Sequence, residues 1–208
     1  KSSLCKAGVL AQLEAGALGP LQIVQMVPGR HPKNALAQAL LSVLGVDEEQ
    51  LRHDLEHDPA QLGRALCQRN RQKVQAGEPP DNLLIFVDQL EELLTQAEPA
   101  EAALVAEALA ALFAYGPEVR VLCTVRGDFL SRLSALPGLG PEVARGLHLL
   151  SPLFGDGLRE AITQPALALG YAFESASFVE SLVAASGQGD GGLPLLQFTL
   201  ARLWEARD

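Results

Sequence analysis

The sequence predicts an α/β fold with a parallel sheet flanked by helices, followed by a small helical subdomain. Three observations carry that expectation. NLLIFVDQ at 82–89 is a nearly continuous apolar run, and VRVLCTVR at 119–126 reads as a second buried strand. Strands buried on both faces look like this. Strand patterns alternate with helical patterns up to about residue 153, the order that builds parallel sheets. After Gly155 only helical patterns remain.

In chain order, Ser2 to Ala15 carries apolar residues at helical spacing (Leu4, Ala7, Leu10, Ala11), and Gly16 stops it. LQIVQMVPG at 21–29 is β-branched and ends in Pro-Gly, so it reads as a strand. HPKNALAQALLSVLG is a helix after Pro32, DEEQLRHDLEHD a shorter charged one, and a third runs from Pro59 toward Val74. QAGEPPDN then turns the chain into the first buried strand. An alanine-leucine helix spans roughly Pro99 to Tyr115, and Gly116-Pro117 precedes the second buried strand. GLHLLSPL at 146–153 reads as a shorter strand. LREAITQPALALG, SFVESLVAAS and LPLLQFTLARLWEAR complete the chain as helices. The expected division is therefore 1–153 for the α/β core and 154–208 for the helical subdomain.

The chain has 208 residues, with 48% hydrophobic and 20% charged, a globular composition. Its 25 acidic and 16 basic residues give a net charge of −9, which argues against duplex nucleic acid as a partner. No apolar run has the roughly 18 residues of a membrane span. Cys5, Cys67 and Cys123 share no metal or redox spacing and read as reduced thiols in a cytoplasmic protein.

The densest chemistry lies in IFVDQLEELL, Ile85 to Leu94. A buried strand ends in Asp88, and Glu91 and Glu92 follow. Ligands of open α/β sheets bind beyond the carboxyl ends of the strands. A carboxylate there can hold Mg²⁺ beside a nucleotide's phosphates. Glu91 or Glu92, one helical turn on, can polarise an attacking water. Lys1-Ser2 before a helix looks like the second half of a phosphate-binding loop. Lys1 would then reach the β- and γ-phosphates, Ser2 would join Asp88 on Mg²⁺, and Arg126 in VRGDF would sense the γ-phosphate. Each residue also has a plain structural reading: an acidic turn for the carboxylates, and an ion pair with Asp128 for Arg126.

KSSLCKAG, VPGRHP, LLIFVDQLEELLT, VRGDFL, LREAITQPALALG and GLPLLQFTLARLWEAR resemble successive landmarks of the STAND-class P-loop NTPases. The likeness is to the bacterial novel STAND NTPases, often found upstream of WD40 or other repeats. It covers nearly the whole chain in order. It implies an AAA-like, additional-strand P-loop NTPase core and an ATP- and Mg²⁺-dependent switch in a larger signalling protein. It implies nucleotide-binding roles for Lys1, Ser2 and Ser3, and a helical lid in which Gly192 and Pro194 lie near the base. Other domains of the parent chain, and further copies on activation, are the implied partners. Two departures accompany the resemblance. The glycines and the strand that should precede Lys1 are not in this sequence, so the chain reads as a fragment lacking its first strand. Gln89 also stands where many such ATPases carry a catalytic glutamate, which implies slow turnover. Two alternatives stay open: a non-hydrolysing nucleotide-binding or scaffold module, and a zinc peptidase through H-x-x-E-H at His53 to His57.

Overall fold

The computed structural model describes residues 1–113, 118–151, 153–186 and 192–207. Its sheet has three strands, β1 (Gln22–Met26), β2 (Leu83–Val87) and β3 (Val119–Cys123), in the order β1-β2-β3. All pairings are parallel, and Met26, Val87 and Cys123 stand level at the C-terminal edge. Every residue of the central strand β2 is buried.

Side-chain alternation divides the sheet into two faces. Leu83, Ile85 and Val87 point into the larger core with Val24, Met26 and Val119. That core is closed by α2 (Pro32–Leu44), α3 (Glu48–His57), α4 (Gln61–Gln75), the short α5 (Glu92–Thr95), α6 (Pro99–Phe113), α7 (Leu130–Leu133) and α8 (Leu139–Gly146). Leu84 and Phe86 point the other way, into a small core with Cys5 and Leu10 of α1. Helix α1 joins an α-helical turn at Ser2–Leu4, a π-helical stretch at Cys5–Leu10 and a second α-helical turn at Ala11–Glu14. The expected helix is thus present, with a wider middle that the apolar pattern did not reveal. Such π-helical stretches are frequent at functional sites.

The described residues fall into two compact units, Lys1–His148 and Leu149–Asp208. The second holds α9 (Gly155–Ala168), α10 (Ala176–Ser186) and α11 (Gly192–Glu205). Leu158, Ile162, Val179, Leu182 and Leu196 form its own core. Arg159 of α9 ties it to α10 through Glu180, at 2.8 and 3.1 Å.

One expected element is corrected. GLHLLSPL forms no strand over 147–151, where Leu147, Leu149 and Leu150 are exposed. Its apolar residues lack the neighbouring ladder a strand needs; Pro152 lies outside the described residues. The loop expected between Ser186 and Gly192 lies outside them as well, as does the end of the alanine-leucine helix at 114–117.

Candidate functional site

Asp88 is the first residue past β2, and it is only 2% exposed. Its N–H donates to the Met26 carbonyl at 2.9 Å, so the acid is anchored to the neighbouring strand. The next residue, Gln89, has φ 58°, a left-handed conformation that side-chain-bearing residues rarely adopt. Thr124 compensates for it. Its hydroxyl accepts from the Gln89 N–H at 2.9 Å and donates to Asp88 Oδ1 at 2.5 Å. Its carbonyl accepts from the Leu90 N–H at 2.8 Å. One threonine at the end of β3 therefore fixes both the turn and the acid.

Helix α1 brings two more groups to the same carboxylate. The Ser2 hydroxyl donates to Asp88 Oδ1 at 2.6 Å. The Lys6 ammonium lies 2.8 Å from Oδ2. Burial pushes the Asp88 carboxyl up, but hydrogen bonds from Lys6, Ser2 and Thr124 outweigh it and hold the group below the usual carboxylate range. Asp88 is thus an anion at neutral pH. Lys1 reaches across the sheet edge and donates to the Val125 carbonyl at 2.7 Å. Ser3 is exposed on the same turn as Ser2.

The two later acids serve neighbouring loops. Glu91 is buried, and its Oε2 accepts from the Arg126 N–H at 3.3 Å. Glu92 Oε2 accepts from the Gly29 N–H at 2.9 Å, in the loop after β1. The Arg126 side chain makes the alternative ion pair considered from sequence. It holds Asp128 at 3.1 and 2.9 Å and lies over the Phe129 ring.

The structure therefore gathers Lys1, Ser2, Asp88, Glu91, Glu92 and Arg126 at one edge of the sheet. Gly192 and Pro194 belong to the second unit, in the first turn of α11. Gly192 is required there by space, because a Cβ would stand 2.1 Å from the Ser186 carbonyl oxygen. Sequence reasoning missed Lys6 and Thr124. Lys6 lies four residues after Ser2, hence on its helix face. Thr124 is the polar residue that ends the apolar run of β3.

The His53–Glu56–His57 pattern carries no metal chemistry in this arrangement. The two rings stack 4.0 Å apart, and His57 Nδ1 faces the His53 carbonyl at 2.9 Å. Glu56 is paired with Lys33. Among the described residues, no group of three or more His, Cys, Asp or Glu can hold a metal ion.

A buried acid at the end of a central parallel strand, hydrogen-bonded to a serine on the first turn of a lysine-led helix, fits a P-loop NTPase domain. The comparison with protein families makes this specific. The family model described as Novel STAND NTPase 1 matches residues 1–208, and the chain belongs to that family. No curated protein and no solved structure matched it. Family membership implies a nucleotide-binding switch module. No helix among the described residues is long and apolar enough to cross a membrane.

Proposed function

We propose that the chain binds Mg²⁺–ATP at the C-terminal edge of its sheet, hydrolyses it slowly, and so switches a larger cytoplasmic signalling protein. The observation that carries this reading is the Ser2 hydroxyl 2.6 Å from the ionised Asp88 carboxylate. Two hard oxygen donors side by side suit Mg²⁺, which takes few protein ligands and keeps its waters and the phosphates. Held by Ser2 and Asp88, such an ion would supply positive charge against the phosphates. Lys1 supplies a positive charge to the phosphates from the start of α1. Thr124 keeps Asp88 oriented. Glu91, held by the Arg126 backbone, is the residue proposed to polarise the attacking water, with Glu92 bracing the loop after β1. Arg126 would sense the γ-phosphate after leaving Asp128. The second unit is proposed as the lid that the resemblance implies, with Gly192 and Pro194 as its nucleotide-binding residues.

Calorimetric titration of the chain with Mg²⁺–ATP tests the site. Ser2→Ala and Asp88→Asn are both expected to weaken binding, and unchanged binding by both contradicts the assignment. A non-hydrolysing module is the second reading. It is favoured by both glutamates accepting backbone N–H groups instead of standing free. Phosphate release decides between the two. Glu91→Gln should spare binding and slow release if the chain hydrolyses ATP. Release at the level of ATP without protein supports the second reading.

A further inference from the structure

Lys6 has no task in the function proposed above, yet it makes the closest charge contact in the site. Its ammonium lies 2.8 Å from Asp88 Oδ2; half of the lysine side chain is exposed, against 3% of the aspartate's. The other carboxylate oxygen, Oδ1, is occupied twice, by Ser2 at 2.6 Å and Thr124 at 2.5 Å. Two other cations of this edge are engaged elsewhere: Lys1 on the Val125 carbonyl and Arg126 on Asp128. Lys6 is the cation in direct contact with the buried carboxylate. A buried carboxylate left without a partner is costly.

A divalent cation approaching Asp88 meets that ammonium. Mg²⁺ binds carboxylate oxygen at about 2.0–2.1 Å, and two positive centres cannot share one oxygen at such range without strong repulsion. Lysine is suited to give way, since its point charge rides on a flexible four-carbon stem and half of it already meets water.

We propose that Lys6 is a resident counter-cation for Asp88. It compensates the carboxylate's charge and keeps it in place when no divalent cation is bound, and it yields Oδ2 when Mg²⁺–nucleotide arrives. This role rests on Asp88 facing the cation, as proposed above. Its consequence is specific: Lys6 competes with Mg²⁺ and lowers the advantage of metal-bound over metal-free nucleotide. It also spares the empty site an unpaired buried charge, so the site is formed before the ligand enters.

The test is a thermodynamic cycle on the full chain. ATP binding is measured by calorimetry with Mg²⁺ and with EDTA, and the readout is the ratio of the two dissociation constants, EDTA over Mg²⁺. Lys6→Met is expected to raise that ratio by about two- to fivefold, the upper range for a partly exposed ion pair. Lys6→Gln, a second neutral variant should methionine disturb folding, is expected to do the same. Lys6→Arg keeps the charge and should hold the ratio within about twofold of wild type. In an Asp88→Asn background, Lys6→Met should leave the ratio unmoved. If both neutral variants leave it unmoved while Asp88→Asn lowers it, the counter-cation role is overturned and Asp88 remains a cation ligand. An equal rise in the Asp88→Asn background also overturns it, because Lys6 would then act on the phosphates directly. A ratio insensitive to Asp88→Asn overturns the site assignment and the role of Lys6 with it.

Discussion

Asp88 shows how one side chain becomes usable as a cation ligand. It is removed from water and stays ionised because three donors reach it from two different elements. Thr124 is the donor that also holds the turn, so its removal should be felt twice. Thr124→Val leaves the Gln89 N–H and Asp88 Oδ1 each short of a partner in a buried setting. We expect a loss of about 1–3 kcal/mol of stability, read by urea unfolding, together with weaker Mg²⁺–ATP binding. A stability within about 0.5 kcal/mol of wild type, the level of an indifferent surface change, would show that the hydroxyl is not needed. Gln89 offers a second check. At φ 58° glycine is strain-free and a β-branched residue is not. Gln89→Gly should therefore be neutral or mildly stabilising, and Gln89→Val destabilising by about 1 kcal/mol or more, both in the same unfolding assay. The sequence put Asp88 at the end of a buried strand with Glu91 and Glu92 just beyond it, because a strand's end is visible where an apolar run stops. It did not expose Lys6 or Thr124, since each takes its meaning from a residue far along the chain.

At the scale of elements, the alternating faces of β2 explain why its run is apolar throughout. Phe86 is fully buried against α1, and Ile85 is fully buried in the larger core. Phe86→Ala should cost about 3–5 kcal/mol and should loosen α1, the helix that carries Lys1, Ser2 and Lys6. Hydrogen exchange over 2–14 is the measurement; protection equal to wild type would separate the site from that core. Strand β3 differs from β2. Among the described residues it pairs only with β2, and Val121, Leu122 and Cys123 are half-buried. Its other edge carries no ladder among the described residues. The expectation that failed, a strand in GLHLLSPL, failed for a related reason. Apolar character alone cannot tell a strand from an exposed connection when no ladder is offered to it.

The whole molecule is two units with separate cores, and α11 of the second shows what sequence periodicity can resolve. Leu196 is buried in that core, and Leu200 and Leu203 pack against it, as their spacing implies. Trp204, one residue on, is 36% exposed and meets Tyr171 edge-on at 5.1 Å, with the Arg207 guanidinium 4.1 Å from its ring centroid. Its spacing from Leu196 and Leu200 puts it on the same side of the helix, yet it stops short of the core. A partly exposed indole is a good reporter. If the second unit moves as a lid, hydrogen exchange over 193–207 should differ between ATP and ADP, and Pro194→Ala should reduce the difference. Equal protection in both states would reject the lid as the moving part. The central claim, however, is that Asp88 faces the cation of a bound nucleotide. Mn²⁺ in place of Mg²⁺ tests it most directly, because its electron paramagnetic resonance signal reports protein-bound metal without any turnover. Titration of the chain with Mn²⁺–ATP should show a bound signal that Asp88→Asn weakens, because a neutral amide is a poorer ligand for a hard cation. A mutant that binds Mn²⁺–ATP as tightly as the wild-type chain, with the same spectrum, would contradict the account.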